Sequence, residues 1–283
     1  MLKTFLLTSI TLIAFAANSL LTRMALGTGA LDAASFVLIR LGSGAIMLLL
    51  LTSFTQKKLT LRVKGKWLAA LMLFVYALAF SFAYLQLDTG TGALLLFGAV
   101  QVTMIVLGLR QGEKPHVVEW VGFLAALGGL VYLVLPGLSA PPLFGSGLMV
   151  IAGIAWGIYS LLGKSSNNPI ENTTSNFVRS VPLAIGVSLV SLPNLNLSTR
   201  GVILAIASGA ITSGLGYALW YIALKGLSAT QAAIVQLVVP VLAALGGILF
   251  LEEVFSLRLG VASLLILGGI AIAVVGRRVV KTT

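Results

Sequence analysis

Between Thr230 and Glu253 the chain reads TQAAIVQLVVPVLAALGGILFLEE, with no charged side chain until Glu252 and Glu253 close it. A helix over this stretch is long enough to cross the ~30 Å hydrocarbon core of a bilayer, and the two acids mark a water boundary. No other feature narrows the fold as far, because in lipid every backbone polar group must be paired within its segment or against protein. Pro240 sits near the middle of the stretch. It lacks an N–H and frees the carbonyl of Gln236, one turn earlier on the same helix face. A polar amide beside an interrupted turn at mid-depth fits a lined cavity. A kinked packing helix whose Gln bonds a neighbour fits as well.

The pattern repeats ten times, at about residues 4–24, 31–52, 67–87, 90–110, 116–136, 142–163, 170–193, 201–224, 228–251 and 256–276. Connections are short, as between antiparallel neighbours in a bundle. With 59% hydrophobic and 9% charged residues, a soluble domain of this length is excluded. The absence of cysteine removes disulfides and thiolate sites, and a single histidine, His116, leaves no imidazole cluster. The net charge of +11 is no nucleic-acid footprint, because the basic residues occupy short links between apolar runs. With a cytoplasmic N-terminus, Lys3, Lys57, Lys58, Arg62, Lys64, Lys66, Arg110, Lys114, Lys164, Lys225, Arg277, Arg278 and Lys281 fall on one side. Only Arg23, Arg200 and Arg258 fall on the other, a strong positive-inside bias that predicts two cytoplasmic termini. The weakest span is 170–193, with Arg179, Pro182 and Pro193; removing it would throw the basic tail outside.

Five correspondences recur in one order. Ser19-Leu-Leu-Thr-Arg23 ends the first span and Ser160-Leu-Leu-Gly-Lys164 the sixth; Arg40 and Arg179 lie equally far into the second and seventh. Tyr84-Leu-Gln-Leu closes the third span and Tyr221-Ile-Ala-Leu the eighth, and the Gly-rich runs at Gly122 and Gly260 match in character. Gly112-Glu113-Lys114 and Leu251-Glu252-Glu253 form an acidic turn before each half's last span. An odd number of spans per half inverts one half against the other, as in many secondary transporters. Two such halves, residues 1–138 and 139–283, resemble the EamA-type members of the drug/metabolite transporter superfamily. The ten-helix amino-acid and metabolite exporters of the YddG type are nearest in size and shape. The resemblance implies an all-α integral membrane fold of two inverted five-helix repeats, and export rather than catalysis. In the first half Gln101 falls about where the second half has Pro240.

The seven acids, Asp32, Asp88, Glu113, Glu119, Glu171, Glu252 and Glu253, all fall at or near span ends. Ion-coupled carriers commonly hold a carboxylate inside the bundle, so the sequence favours transport down a gradient, with Glu119 the nearest to an exception. Arg40 and Arg179 are the intramembrane charges, at a cost of ~2.5–3.5 kcal/mol each on insertion scales. Each either faces the pathway and attracts a carboxylate, or snorkels to an interface or clamps backbone carbonyls at a helix end. Tyr84, Phe97, Trp156, Tyr159, Trp220 and Tyr221 are the aromatic candidates, with Trp156 and Tyr159 on one helix face. Trp67 and Trp120, at span starts, read as interfacial belts. Gln101 and Gln236 bind an amine or carboxylate, or simply join helices, as does Asn18. The expected substrate-binding set is therefore Arg40, Tyr84, Phe97, Gln101, Trp156, Tyr159, Arg179, Tyr221 and Gln236, with Pro240 as hinge.

These residues predict an inner-membrane exporter of amino acids, aromatic or hydrophobic, or of related metabolites, working by alternating access. It has no catalytic group, cofactor, metal or nucleic-acid partner, and sits in the bilayer as a monomer or weak homodimer. A nucleotide-sugar, sugar-phosphate or drug carrier is the alternative within the superfamily, although phosphate recognition favours clustered basic groups. A lipid-handling membrane enzyme is the alternative outside it, resting on Glu113, Lys114, His116 and Glu119.

Overall fold

The computed structural model describes residues 2–56, 67–110, 117–137, 140–164, 168–224 and 235–282. Among these the chain is helical, with one isolated bridge between Leu31 and Leu197 in place of any strand. The helices are α1 (Leu2–Leu26), α2 (Ala33–Gln56), α3 (Trp67–Ala83), α4 (Thr89–Arg110), α5 (Val117–Val134), α6 (Leu143–Lys164) and α7 (Pro169–Val190). After a short 3-10 turn, Leu192–Asn194, come α8 (Thr199–Ile206), a π-helical segment (Ala207–Leu215) and α9 (Gly216–Leu224), which run on as one rod. The remaining helices are α10 (Val238–Leu251) and α11 (Leu257–Thr282). The motif around Glu113, Lys114 and His116, and Lys57, Lys58, Arg62, Lys64, Lys66 and Lys225, lie outside the described residues.

Six of the helical stretches are long and apolar enough to cross a bilayer, Thr4–Leu26, Ala33–Phe54, Thr89–Gly108, Val117–Val134, Leu143–Gly163 and Thr199–Ala223. Shorter apolar helices cover Trp67–Ala83, Val238–Leu251 and Leu257–Ala273. Many large apolar side chains point outward, Phe54 and Leu264 among them. In water that would be a liability; in lipid it is the expected surface.

One break falls where the sequence expects an interrupted turn, and one departure from regular α-helix was not expected. Val235 and Gln236 are helical, Leu237 interrupts, and α10 starts again at Val238. Pro240 therefore occupies the first turn of a helix, where its missing N–H leaves no bond unmade. The break falls one residue after Gln236, whose carbonyl the proline ring displaces. The eighth span carries the π segment over Ala-Ser-Gly-Ala-Ile-Thr-Ser-Gly-Leu. Gly209 explains its closeness to α2: a Cβ there would overlap the Arg40 carbonyl and the Ser43 hydroxyl.

Packing follows the small residues. α5 lies along α11, where a Cβ on Gly269 would stand 2.6 Å from the Gly122 carbonyl oxygen. α2 packs on α7, α3 on α6 and α7, and α1 on α8, α9 and the π segment. α4 packs on α6 as α10 packs on α1. At the end of the bundle carrying the α1–α2 and α7–α8 connections, Asp32 caps α2 by accepting the Ser35 N–H at 2.8 Å. Its other oxygen accepts from the Asn196 N–H, and Ser198 Oγ donates to the Ala30 carbonyl at 2.6 Å. The two connections are thereby pinned together.

Candidate functional site

Arg40 lies on α2 with 1% of its surface exposed. Its Nε donates to Ser213 Oγ at 3.2 Å and its Nη2 to the Tyr76 hydroxyl at 3.1 Å. The guanidinium also rests on two ring faces, 5.0 Å from the centroid of Phe80 and 5.2 Å from that of Tyr76. Its Nη1 is buried with no partner. Among the described residues both ion pairs belong to Arg23, so no carboxylate neutralises Arg40. A buried charge held only by phenol, hydroxyl and π-faces is expensive in apolar surroundings.

The network extends through Tyr76. The Asn18 amide donates to the same phenol oxygen at 3.3 Å, and Asn18 Oδ1 accepts from Ser208 Oγ at 2.7 Å and Thr212 Oγ1 at 3.2 Å. The π segment thus supplies three hydroxyls, Ser208, Thr212 and Ser213, to residues of α1 and α2. A π-turn places successive side chains differently from an α-turn and is often found at functional sites.

Against this polar layer stands a knot of rings. Trp156 of α6 has Tyr76 and Tyr217 each 4.8 Å away, Tyr159 at 5.5 Å and Phe15 at 6.2 Å. Trp220 completes it, 5.7 Å from Phe15. Between the rings lies a space of about 10 Å³, lined by Phe15, Asn18, Ser19, Tyr76, Phe80, Leu96, Phe97, Trp156 and Tyr217. That is the room of about one water molecule. Arg40 stands behind this lining, screened by Tyr76 and Phe80, and does not face the space directly.

One end of the bundle is closed above the rings. Tyr84 is fully buried in the α3–α4 turn, 4.8 Å from Phe80, with its hydroxyl donating to the Thr89 carbonyl at 3.3 Å. The Glu253 carboxylate accepts from the Thr89 N–H at 2.9 Å and from Thr89 Oγ1 at 2.8 Å, capping α4. Glu252 makes this possible by adopting a left-handed conformation, φ 57°, that turns the chain back at the end of α10. Arg23 ties the pieces together: 3.6 Å from Glu253, 3.4 Å from Asp88, and donating to the Tyr84 carbonyl at 3.0 Å. A larger hollow of about 310 Å³, lined by Gln86, Asp88, Pro141, Glu253 and Phe255 among others, lies on the far side of this closure. Both its carboxylates are already engaged, Glu253 by Thr89 and Arg23 and Asp88 by Arg23, so the ring-lined space is the better candidate site despite its size.

The expected site residues are distributed unevenly. Trp156, Phe97 and Arg40 converge on the ring-lined space or its wall, and Tyr84 roofs it. Tyr159 and Tyr221 approach each other near Thr173 and Asn176, further along α6 and away from the Arg23 closure. Gln101 is buried on α4 outside the lining, and Gln236 is half-buried at the break before α10. Arg179 is not brought to Arg40; its guanidinium lies 5.2 Å from the Trp67 ring, at the start of α3. Tyr76, Tyr217, Phe15 and Ser213 were not singled out by the sequence reading. The available signals were a lone phenol within the otherwise apolar run WLAALMLFVYALAFSFA, and the hydroxyl-rich run Ser208–Ser213.

An all-helical bundle with six membrane-length apolar stretches and a buried polar and aromatic centre defines a multi-pass membrane protein. Residues 143–275 match the EamA-like transporter family. The chain is 52% identical to the uncharacterized protein PA1977 of Pseudomonas aeruginosa, over 97% of this chain and 96% of that one. It is 23% identical to the uncharacterized transporter YoaV of Bacillus subtilis, over 82% of this chain and 84% of the relative. An uncharacterized transporter of Archaeoglobus fulgidus is 29% identical over 66% and 68%. A solved crystal structure superimposes with a TM-score of 0.66 at 20% identity, covering 95% of this chain and 99% of its own, which is a likeness of fold. The chain belongs to the EamA-like transporter family of the drug/metabolite transporter superfamily.

Proposed function

We propose that this transporter exports amino acids with aromatic or hydrophobic side chains, or closely related small metabolites, across the inner membrane. The observation that carries the reading is the unneutralised Arg40, held by Tyr76 and Ser213 behind a ring-lined space. A cargo carboxylate meets the hydroxyls of Tyr76 and Tyr217 under the field of Arg40, and its side chain packs among Trp156, Phe97 and Phe15. Small-molecule sites commonly combine such an apolar lining with few placed polar groups.

The proposal includes ten spans in two inverted repeats, residues 1–138 and 139–283, with both termini cytoplasmic. Self-paired contacts support the repeat: α2 meets α7 and α5 meets α11, each the counterpart of the other, and α4–α6 mirrors α10–α1. The charge bias supports the orientation. It places the Arg23–Glu253 closure on the outer face, and alternating access requires that closure to open. Without a carboxylate among the lining residues, the cycle runs down the cargo gradient.

The test is flux of a mixed amino-acid panel into proteoliposomes, with and without a pH gradient. A subset moves independently of the gradient, and Arg40→Ala or Trp156→Ala lowers its flux at least tenfold. Flux driven by the pH gradient, or no flux of any amino acid by folded protein, refutes the reading.

A further inference from the structure

We propose that the hollow at the Arg23 end is a second binding site, separate from the ring-lined space, and that it takes a small amphiphilic amine in its ammonium form. The proposal stands on that hollow and does not require the cargo reading.

Size separates the two places first. The hollow, at about 310 Å³, reaches the lower end of the roughly 300–1,000 Å³ that small-molecule pockets occupy. The space among the rings, at about 10 Å³, does not. Four helices supply the apolar part of the hollow: Gly90 of α4, Leu133 of α5, Ala244 and Ile248 of α10, and Leu259 of α11. α4 and α10 meet closely there, since a Cβ on Gly90 would stand 2.8 Å from that of Ala244. Phe255 adds a ring, and Gln86, Asp88, Thr91, Glu253 and Ser256 supply the polar part. An occupant is therefore amphiphilic, with a hydrocarbon body and a polar head.

Charge decides which head. The ionisable side chains of the lining are both carboxylates, Asp88 and Glu253. They share one counter-ion, Arg23, 3.4 Å from the first and 3.6 Å from the second, and Arg23 itself is not part of the lining. Arg258 of α11 lies 5.7 Å from the Tyr132 ring and is not part of the lining either. Engagement of the two carboxylates does not cancel their charge, because two anions against one guanidinium leave a negative remainder. Glu253 is held by Thr89 and Arg23. Asp88 has Arg23 as its single side-chain partner among the described residues, and its side chain is 56% exposed. An ammonium entering the hollow pairs with Asp88, whereas an anion of the same shape is repelled. The ring-lined space has the opposite sign, with Arg40 behind it and no carboxylate in its lining. The two places thus sort ligands by charge.

Occupancy has a consequence for the helices. An amine in the hollow touches α4 and α5 on one side and α10 and α11 on the other, so it binds the packed arrangement and stabilises it by mass action.

The experiment is equilibrium dialysis of the purified full-length protein in detergent at pH 7, with radiolabelled phenethylamine. Binding is saturable and is at least tenfold weaker in Asp88→Asn, which removes an exposed charge at little structural cost. It is also at least tenfold weaker in Thr91→Phe, which fills the hollow with a ring. Trp156→Ala, at the other site, leaves it within twofold of the parent. Phenethylamine raises the thermal midpoint of the parent and not that of Asp88→Asn. Should Thr91→Phe fail to fold, Asp88→Asn decides alone. Unchanged affinity in Asp88→Asn overturns the proposal, as does no saturable binding by folded protein. A tenfold loss in folded Trp156→Ala places the amine among the rings and overturns it too. So does displacement by 3-phenylpropionate as effective as by unlabelled phenethylamine, because the hollow then ignores charge.

Discussion

Glu253→Ala tests whether the closure at the Arg23 end is a gate. The carboxylate accepts from the backbone and the hydroxyl of Thr89 and lies 3.6 Å from Arg23, with its side chain 11% exposed. Hydrogen bonds to a charged group contribute about 1.5–3 kcal/mol each. Thr89 regains water when the end opens, and Arg23 keeps Asp88 and the Tyr84 carbonyl. About 3 kcal/mol is therefore a fair total for the carboxylate, which moves a closed-to-open equilibrium by roughly 150-fold. Glu253→Gln keeps an acceptor oxygen and loses mainly the favourable charge at the start of α4, about 1 kcal/mol or roughly fivefold. The protein has no cysteine, so Ser19→Cys, in the lining beneath Tyr84, supplies a sole thiol. Its reaction with a membrane-impermeant maleimide added from the Arg23 side reports the open fraction. Expected is a rise of about two orders of magnitude with Glu253→Ala, a few-fold rise with Glu253→Gln, and no rise from the opposite side. A Glu253→Ala rate within twofold of the parent refutes the gate, and an equal rise from both sides shows loosened packing instead.

Two further outcomes follow from the same contacts. Arg40→Met keeps an apolar stem of similar length and removes a buried charge without an acidic partner; such replacements are often neutral or stabilising. The variant is expected to hold or raise the thermal midpoint while transport falls at least tenfold, and a lower midpoint with intact transport would refute the assignment. Gly209→Val drives side-chain atoms into the Arg40 carbonyl and Ser43 hydroxyl across the contact between the π segment and α2. It costs about 2–3 kcal/mol or more, read as a lower thermal midpoint. At Gly147, where a Cβ meets nothing within 4 Å, Gly147→Ala serves as the control with no loss.

Much of the architecture was legible in the residues themselves. Uncharged runs of membrane length depend only on composition along the chain, and six helical stretches are long and apolar enough to cross a bilayer. Pro240 was legible for the same local reason, since its ring displaces the Gln236 carbonyl whatever packs nearby, and the helix breaks at Leu237. The three-residue spacing that puts Trp156 and Tyr159 on one face is also local, and their rings lie 5.5 Å apart. The π segment was not legible, because a register change of one residue inside Ala207–Leu215 leaves hydropathy unaltered. Nor was the fate of the two arginines. The sequence places Arg40 and Arg179 about equally far into the second and seventh apolar runs, yet one meets Tyr76 and Ser213 and the other Trp67.

The sequence by itself determined which stretches are apolar enough to cross a bilayer, about where most helices run, and that one cation, Arg40, lies inside such a stretch. Only the tertiary structure decided which groups meet: Arg40 with Ser213, 173 residues away, and Thr89 with Glu253, 164 away. In water an amphipathic stripe tells a helix which face to bury. In lipid both faces are apolar, so the rotation of each helix is set by close approach at glycines such as Gly209 and Gly122 and by the partners that buried polar groups find. Those are pairwise quantities, and they exist only once the helices are packed.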